Sequence, residues 1–103
     1  LRYAGFHALR QSYQGKYATV DAHNKHWQRF VAWLKDEGIK DAQRITTKLL
    51  AQYAGELGEH VSGGVMAVSY AQNLVSSVNV TLSVMRGDNA VRVSPSKAIG
   101  AQR

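Results

Sequence analysis

The longest stretch of this chain without a charged side chain extends from Ser62 to Met85, whereas the rest of the chain is rich in lysine and arginine. Its apolar residues recur at steps of three and four, which places them on one face of an α-helix. We therefore predict one long helix that begins near the Ser62-Gly63-Gly64 segment and ends at Arg86-Gly87. The residues of its apolar face are Ala67, Ala71, Leu74, Val78, Leu82 and Met85.

The opposite face of this predicted helix is polar but uncharged. A helix that needs only to be soluble usually carries lysine and glutamate on its outer side. Hydroxyl and carboxamide groups both donate and accept hydrogen bonds, which suits contact with base edges and phosphate oxygens. The face is therefore a candidate DNA-binding surface, and the alternatives are a solvated face or a second buried face. Its residues are Ser69, Gln72, Asn73, Ser76, Asn79 and Ser83.

Charge and length restrict the class of protein. The 103 residues suffice for one domain with a modest core. Thirteen basic and seven acidic residues give a net charge of +6, which favours a polyanionic partner, nucleic acid first and an anionic membrane second. The polar residues of the uncharged stretch argue against a membrane span, which needs roughly 20 predominantly apolar residues. Cysteine is absent, which excludes disulfides and thiolate metal sites and fits a reducing cytosol.

A short N-terminal helix is predicted to carry Tyr3, Phe6, Leu9 and Tyr13 and to end at Gly15. Two longer helices are predicted between it and the uncharged helix. The first begins at Thr19 as N-cap with Asp21 in its first turn, and ends at Gly38 with Ile39 folding back onto Leu34. Its buried stripe is Val20, His23, Trp27, Phe30, Val31 and Leu34. Lys25, His26 and Arg29 project from another side, either to bind phosphates or as a solvated face.

The next helix is predicted to be capped by Thr46, with Ile45 packing onto Leu50. Its buried stripe is Leu49, Leu50, Tyr53, Ala54 and Leu57, and residues 58–64 are predicted to form a flexible loop. After Gly87 the chain becomes basic and contains its only proline, Pro95, which favours an extended strap. The prediction is an all-α bundle of about four helices with an extended C-terminal linker, which carries Arg92, Lys97 and Arg103.

We find no catalytic constellation in the sequence. A Gly-rich phosphate loop, a nucleophile elbow and a His-Glu-x-x-His pair are all missing. His23 and His26 are three residues apart, a spacing that can share a metal, but no third ligand is evident. A packed His23 and a surface His26 are therefore expected, with no metal, no cofactor and no enzymatic activity in this chain.

The order and spacing of several motifs resembles the N-terminal SAM-like core-binding domain of phage-type integrases, the tyrosine recombinases. The resemblance covers roughly residues 19–100, and the segment from Arg92 to Lys97 is similar to the strap that joins this domain to the catalytic domain. The motifs are Thr19, Trp27-x-x-Phe30-x-x-Trp33-Leu34, Gly38-Ile39, Ile45-Thr46, Tyr53 and the uncharged helix ending at Arg86-Gly87-Asp88.

The resemblance implies a bundle that forms one half of a C-shaped clamp on duplex DNA. It divides the chain into an N-terminal arm or short helix (1–18), a core-binding domain (19–87) and a linker (88–103). The implied partners are double-stranded DNA, a C-terminal catalytic domain of the same parent chain and other recombinase protomers. A DNA-associated location in a bacterial cytoplasm, without a membrane, is expected.

Carried over to this chain, the resemblance assigns DNA contacts to several groups of residues. The backbone would be touched by Lys16, Tyr17 and Thr19, and phosphates by Lys25 and Arg29. The groove would be faced by Ser69, Gln72, Asn73 and Ser76, and the linker contacts would be Arg86, Arg92 and Lys97. The family's catalytic residues belong to the C-terminal domain, so no tyrosine of this chain is assigned as nucleophile. A protein-interaction bundle and a small helix-turn-helix regulator are the competing interpretations.

Overall fold

Apolar residues at helical spacing produce a bundle of five α-helices in the computed structural model, which describes residues 2–99. The all-α class is confirmed. The helices are α1 (Arg2–Ser12), α2 (Tyr17–Asp36), α3 (Thr47–Ser62), α4 (Val68–Arg86) and α5 (Pro95–Ile99), with a 3₁₀ turn at Ala42–Arg44. Leu1 and residues 100–103, which include Arg103 of the predicted linker, lie outside the described residues.

The core lies where α2, α3 and α4 meet. Trp27 and Phe30 of α2 are fully buried, and the Phe30 ring meets the Tyr53 ring of α3 edge-on at 4.8 Å between centroids. Such aromatic pairs contribute about 0.5–1.5 kcal/mol beyond the burial of their area. From α4 the core receives Ala71, Leu74, Val75, Val78 and Leu82. The predicted apolar faces of these three helices are therefore largely the buried ones, although Ala67 is exposed.

Two predicted helix ends are confirmed. Gly38 adopts a φ of 78°, and the Ile39 N–H donates to the Leu34 carbonyl at 2.9 Å, as a Schellman end requires. At the start of α3, the Thr46 hydroxyl accepts from the Leu49 N–H at 3.1 Å, which satisfies one of the free amides of the first turn.

The predicted start of α2 is wrong. The helix begins at Tyr17, its N-cap Lys16 makes no side-chain cap, and Thr19 lies within the first turn instead of before it. Asp21 consequently falls beyond that turn. The cause is the short connection from α1, in which Gly15 reverses the chain with a φ of 80° so that α2 starts at once.

The boundary between α3 and α4 also differs from the prediction. The expected loop over residues 58–64 is wrong, because α3 continues to Ser62 and Val61 packs against the core. The two glycines end α3 instead of opening α4: Gly64 has a φ of 77°, and the Val65 N–H donates to the His60 carbonyl at 3.0 Å.

Both termini of the described chain pack onto this core. Helix α1 lies against α2 and α4, with Leu9 fully buried. The C-terminal tail differs in one respect from an extended strap, because after non-helical residues 88–94 it forms α5, which packs against α3 and α4. Val91, Val93, Ala98 and Ile99 contact the core. The tail therefore folds back onto the bundle.

Candidate nucleic-acid interface

The outer side of α4 carries the exposed part of the uncharged polar face. Ser69, Asn73 and Ser76 are exposed, and Gln72 is half-buried, while the opposite side of the helix is in the core. We call these four residues the α4 stripe. No acidic or basic side chain stands on α4 before Arg86, so the stripe presents only hydroxyl and carboxamide groups.

Other polar residues of α4 are used inside the fold. Asn79, predicted to face outward, is buried: its amide donates to the Val93 carbonyl at 2.7 Å and its carbonyl oxygen accepts from the Val93 N–H at 3.0 Å. It thereby holds the C-terminal tail. Thr81 is also buried, and its hydroxyl donates to the Ser77 carbonyl at 2.8 Å. Part of the uncharged polar character of α4 is thus structural.

Ser77 joins α4 to α2 through two histidines. Its hydroxyl lies 2.8 Å from Nδ1 of His23 and 2.7 Å from Nδ1 of His26, and the serine is only 3% exposed. Since a hydroxyl has one proton, at least one of the two imidazoles must donate its own Nδ1–H. His26, which was expected at the surface, is half-buried, and one of its ring nitrogens is engaged in the interior.

Burial favours the neutral form of both histidines. Burial lowers the pKa of His23 below its ordinary value of 6.5. Burial also lowers the pKa of His26, and the positive charges of His23, when protonated, and of Arg29 lower it further. The neutral imidazoles suit the shared hydrogen bonds to Ser77, because a neutral ring can either donate or accept at Nδ1.

Tyr70 of α4 packs against His26 of α2. Its ring meets the His26 ring edge-on at 5.9 Å between centroids, and it follows Ser69 directly in sequence. Tyr70 is 41% exposed. Sequence reasoning did not include this residue, although an aromatic ring between Ser69 and Asn73 in a neutral stretch is a usable signal. We call the surface formed by Arg29, Tyr70 and the α4 stripe the α2–α4 face.

Arg29 on this face and Lys25 elsewhere on the same helix are exposed cations of α2. The Lys25 ammonium lies 3.1 Å from the Asp21 carboxylate, but both side chains are largely exposed. Such a surface pair is worth about 0–1 kcal/mol, so a phosphate can displace it. Arg29 is exposed near the buried Tyr53. Burial raises the pKa of Tyr53 to about 12, which the charge of Arg29 opposes, so the phenol remains neutral.

The remaining predicted contacts lie elsewhere. Lys16 and Tyr17 are exposed at the turn between α1 and α2, about 18 Å from Arg29 along the axis of α2 at 1.5 Å per residue. Thr19 is half-buried. Arg86 pairs with Asp88 at 3.2 Å, beyond the end of α4. The two predicted linker contacts are exposed on the tail, namely Arg92 and Lys97.

Acidic residues concentrate away from the α4 stripe. Five of the seven carboxylates lie at the end of α2, in the following turn and on α3, namely Asp36, Glu37, Asp41, Glu56 and Glu59. Two of them hold these elements together: Glu56 accepts from the Trp33 indole N–H at 2.8 Å, and Glu37 accepts from the Gln52 amide at 2.8 Å. The charge of the chain is therefore unevenly distributed along the helices.

Residues 2–99 contain neither a metal-binding cluster nor a helix that could span a membrane. No group of three or more histidine and carboxylate side chains there is arranged to hold a metal ion. None of the described helices combines the length and hydropathy required to cross a bilayer. Comparison with protein-family models, with curated proteins and with solved structures finds no match to this chain.

Proposed function

We propose that this chain is a duplex-DNA-binding domain that applies its α2–α4 face to the double helix. The observation that carries the proposal is the largely exposed, uncharged α4 stripe together with the exposed cations of α2. Phosphate contacts from Lys25 and Arg29 supply affinity, while the hydroxyl and carboxamide groups of the stripe contact base edges and fix the register. Arg86, Arg92 and Lys97 extend the contact to neighbouring phosphates.

The sequence resemblance supports a finer version of this proposal. In that version the chain is the core-binding domain of a tyrosine recombinase, and it positions a catalytic domain of the same parent chain on the crossover site. DNA integration and recombination would then be the activity of the parent protein, whereas this part binds DNA without cutting it. The order of motifs from Thr19 to Asp88 is the support for this version.

A carboxylate placed on the stripe tests the interface directly. In Ser76→Glu, a negative charge about 4 Å from a phosphate is repelled by roughly 1–4 kcal/mol for effective dielectric constants between about 80 and 20. We expect duplex affinity, measured by fluorescence anisotropy at about 0.1 M salt, to fall at least fivefold. Ser76 is exposed, so the melting temperature should remain close to that of the unaltered protein.

The matched control is Ala51→Glu, which adds the same charge at an exposed position of α3. It changes the net charge equally but lies off the proposed face, so it should leave duplex affinity nearly unchanged. Equal losses for the two variants would mean that net charge alone governs binding and that α4 does not face DNA.

A protein-interaction bundle is the second candidate function. It is favoured by two exposed large side chains, Val65 just before α4 and Tyr70 in its first turn, of which Val65 is 75% exposed. A partner chain would cover these residues together with the stripe. Sedimentation velocity distinguishes the two functions, because a salt-insensitive dimer that does not bind duplex DNA would support the interaction bundle.

A further inference from the structure

A groove of about 680 Å³ lies between α1 and the start of α2. Gly15, which also lines the groove, reverses the chain between the two helices with a φ of 80°. Three aromatic side chains line it, namely Phe6, Tyr13 and Tyr17. Its volume is within the range of about 300–1,000 Å³ that is usual for ligand sites.

The aromatic rings of this α1–α2 groove are accessible. Tyr17 is 78% exposed, and Phe6 and Tyr13 are half-buried. The Arg10 guanidinium lies over the Phe6 ring at 5.6 Å from its centroid. An exposed ring beside a ring already covered by a cation is an arrangement on which a further flat group can stack.

The charge of the groove favours an anionic occupant. Arg10 lines it and Lys16 stands between two lining residues, whereas the only acidic lining residue is Asp21, whose carboxylate is engaged by Lys25 at 3.1 Å. The amides of Gln11 and Gln14 also line it; they can donate to and accept from a base edge. Aromatic platforms combined with cations are the chemistry with which proteins bind single-stranded nucleic acid.

We propose that the α1–α2 groove binds unpaired nucleotides of a single strand by stacking of bases on Tyr17 and its neighbouring rings, with Arg10 and Lys16 at the phosphates. A duplex is a poor occupant, because its bases are already stacked on each other and cannot enter between the helices. The site is formed by α1 and α2 without a side chain of α4, so it does not depend on the duplex interface proposed above.

The first test is binding of a labelled twelve-residue oligothymidine to the protein, measured by fluorescence anisotropy. Loss of one stacked base corresponds to about a 5- to 150-fold loss of affinity, which is expected for Tyr17→Ala. Tyr17→Phe retains the ring and should bind nearly as the unaltered protein does. Tyr3→Ala is the matched control, because Tyr3 is a similarly exposed α1 tyrosine that does not line the groove.

An abasic oligomer of the same length separates stacking from charge. It keeps every phosphate and lacks the bases, so its affinity should be far lower than that of oligothymidine and insensitive to Tyr17→Ala. Equal affinity for the two oligomers would overturn the proposal, as would undetectable oligothymidine binding or an unaffected Tyr17→Ala variant. If an acidic peptide displaced oligothymidine as effectively as unlabelled oligothymidine does, the groove would be assigned to a protein partner, and the proposal would be overturned.

The same experiment distinguishes this site from the duplex interface. If the protein binds oligothymidine with the expected Tyr17 dependence but binds no duplex, the duplex proposal fails and the groove proposal stands. If Ser76→Glu weakens duplex binding but oligothymidine is not bound, the reverse conclusion follows.

Discussion

The packing of α1 against α2 depends on the absence of a side chain at Gly5. A Cβ atom built on this glycine would lie 2.5 Å from Cδ1 and 2.6 Å from Cε2 of Trp27, and it would contact Nε1 as well. The indole is fully buried in the core, so it has no room to withdraw. Gly5→Ala therefore forces either the core or α1 to move.

The magnitude follows from two opposing effects. Replacing glycine by alanine inside a helix normally stabilises by about 1 kcal/mol. Overpacking a filled core costs typically about 1–3 kcal/mol and sometimes more, and a displaced α1 would also expose Leu9, which is completely buried here. We expect Gly5→Ala to lose about 2 kcal/mol of unfolding free energy, which lowers the melting temperature by roughly 8–16 °C in a domain of this size.

Thermal and urea denaturation followed by circular dichroism measure this loss. The matched control is Gly55→Ala in α3, where a Cβ would meet nothing within 4 Å and the residue is exposed. That variant should gain about 0.5–1 kcal/mol. If Gly5→Ala stabilises the protein as Gly55→Ala does, α1 does not pack on Trp27 and the described position of α1 is refuted.

Two further predictions concern polar groups inside the fold. Asn79→Ala leaves the backbone groups of Val93 without their partners, so it should lower the free energy of unfolding by about 1–3 kcal/mol and speed hydrogen exchange at the Val93 amide. The control Asn73→Ala, on the exposed stripe, should change that free energy by less than about 0.5 kcal/mol. Unchanged exchange in Asn79→Ala would contradict the docking of the tail. Because the pKa values of His23 and His26 are lowered in the folded protein, the unfolded chain binds protons at a higher pH than the folded one does. Well above pH 6.5, the free energy of unfolding should therefore not depend on these groups. It should fall as the pH drops below 6.5 through the folded-state pKa values. Urea denaturation between about pH 4.5 and 8 measures this, and replacement of both histidines by glutamine should flatten the curve over that interval; an unchanged curve would contradict the assignment.

Much of the helical core follows from local signals in the sequence. The apolar spacing of α2, α3 and α4 identifies their buried sides, since helical periodicity directly determines which residues share a face. Thr46 and Gly38 mark helix ends because each satisfies backbone groups within a few residues of itself. Such signals need no knowledge of the rest of the fold.

Other features depend on contacts between distant segments. A glycine pair such as Gly63-Gly64 is compatible with the end of one helix or the start of the next, and the packing of Val61 decides between them. Gly5 is a weak helix former in isolation, yet its lack of a side chain leaves the space that the Trp27 indole occupies.

In the candidate sites, too, some features follow from local sequence signals and others depend on contacts between distant segments. The exposure of Ser69, Asn73 and Ser76 agrees with their position on the helical wheel. By contrast, Ser77 meets His23 and His26 across 54 and 51 residues of sequence, and this pairing requires the crossing of α2 and α4. Periodicity along one helix contains no information about which partner stands opposite a polar residue, so the histidine cluster and the internal role of Asn79 were not predictable.

The salt dependence of duplex affinity tests the central claim most directly. If the chain neutralises about four to six phosphates, the logarithm of the association constant should fall against the logarithm of salt concentration with a slope of roughly −4 to −5. The measurement uses the unaltered protein and a labelled duplex between about 50 and 200 mM salt. A slope near zero, or no measurable binding at the lowest salt, would contradict the assignment of this bundle as a duplex-DNA-binding domain.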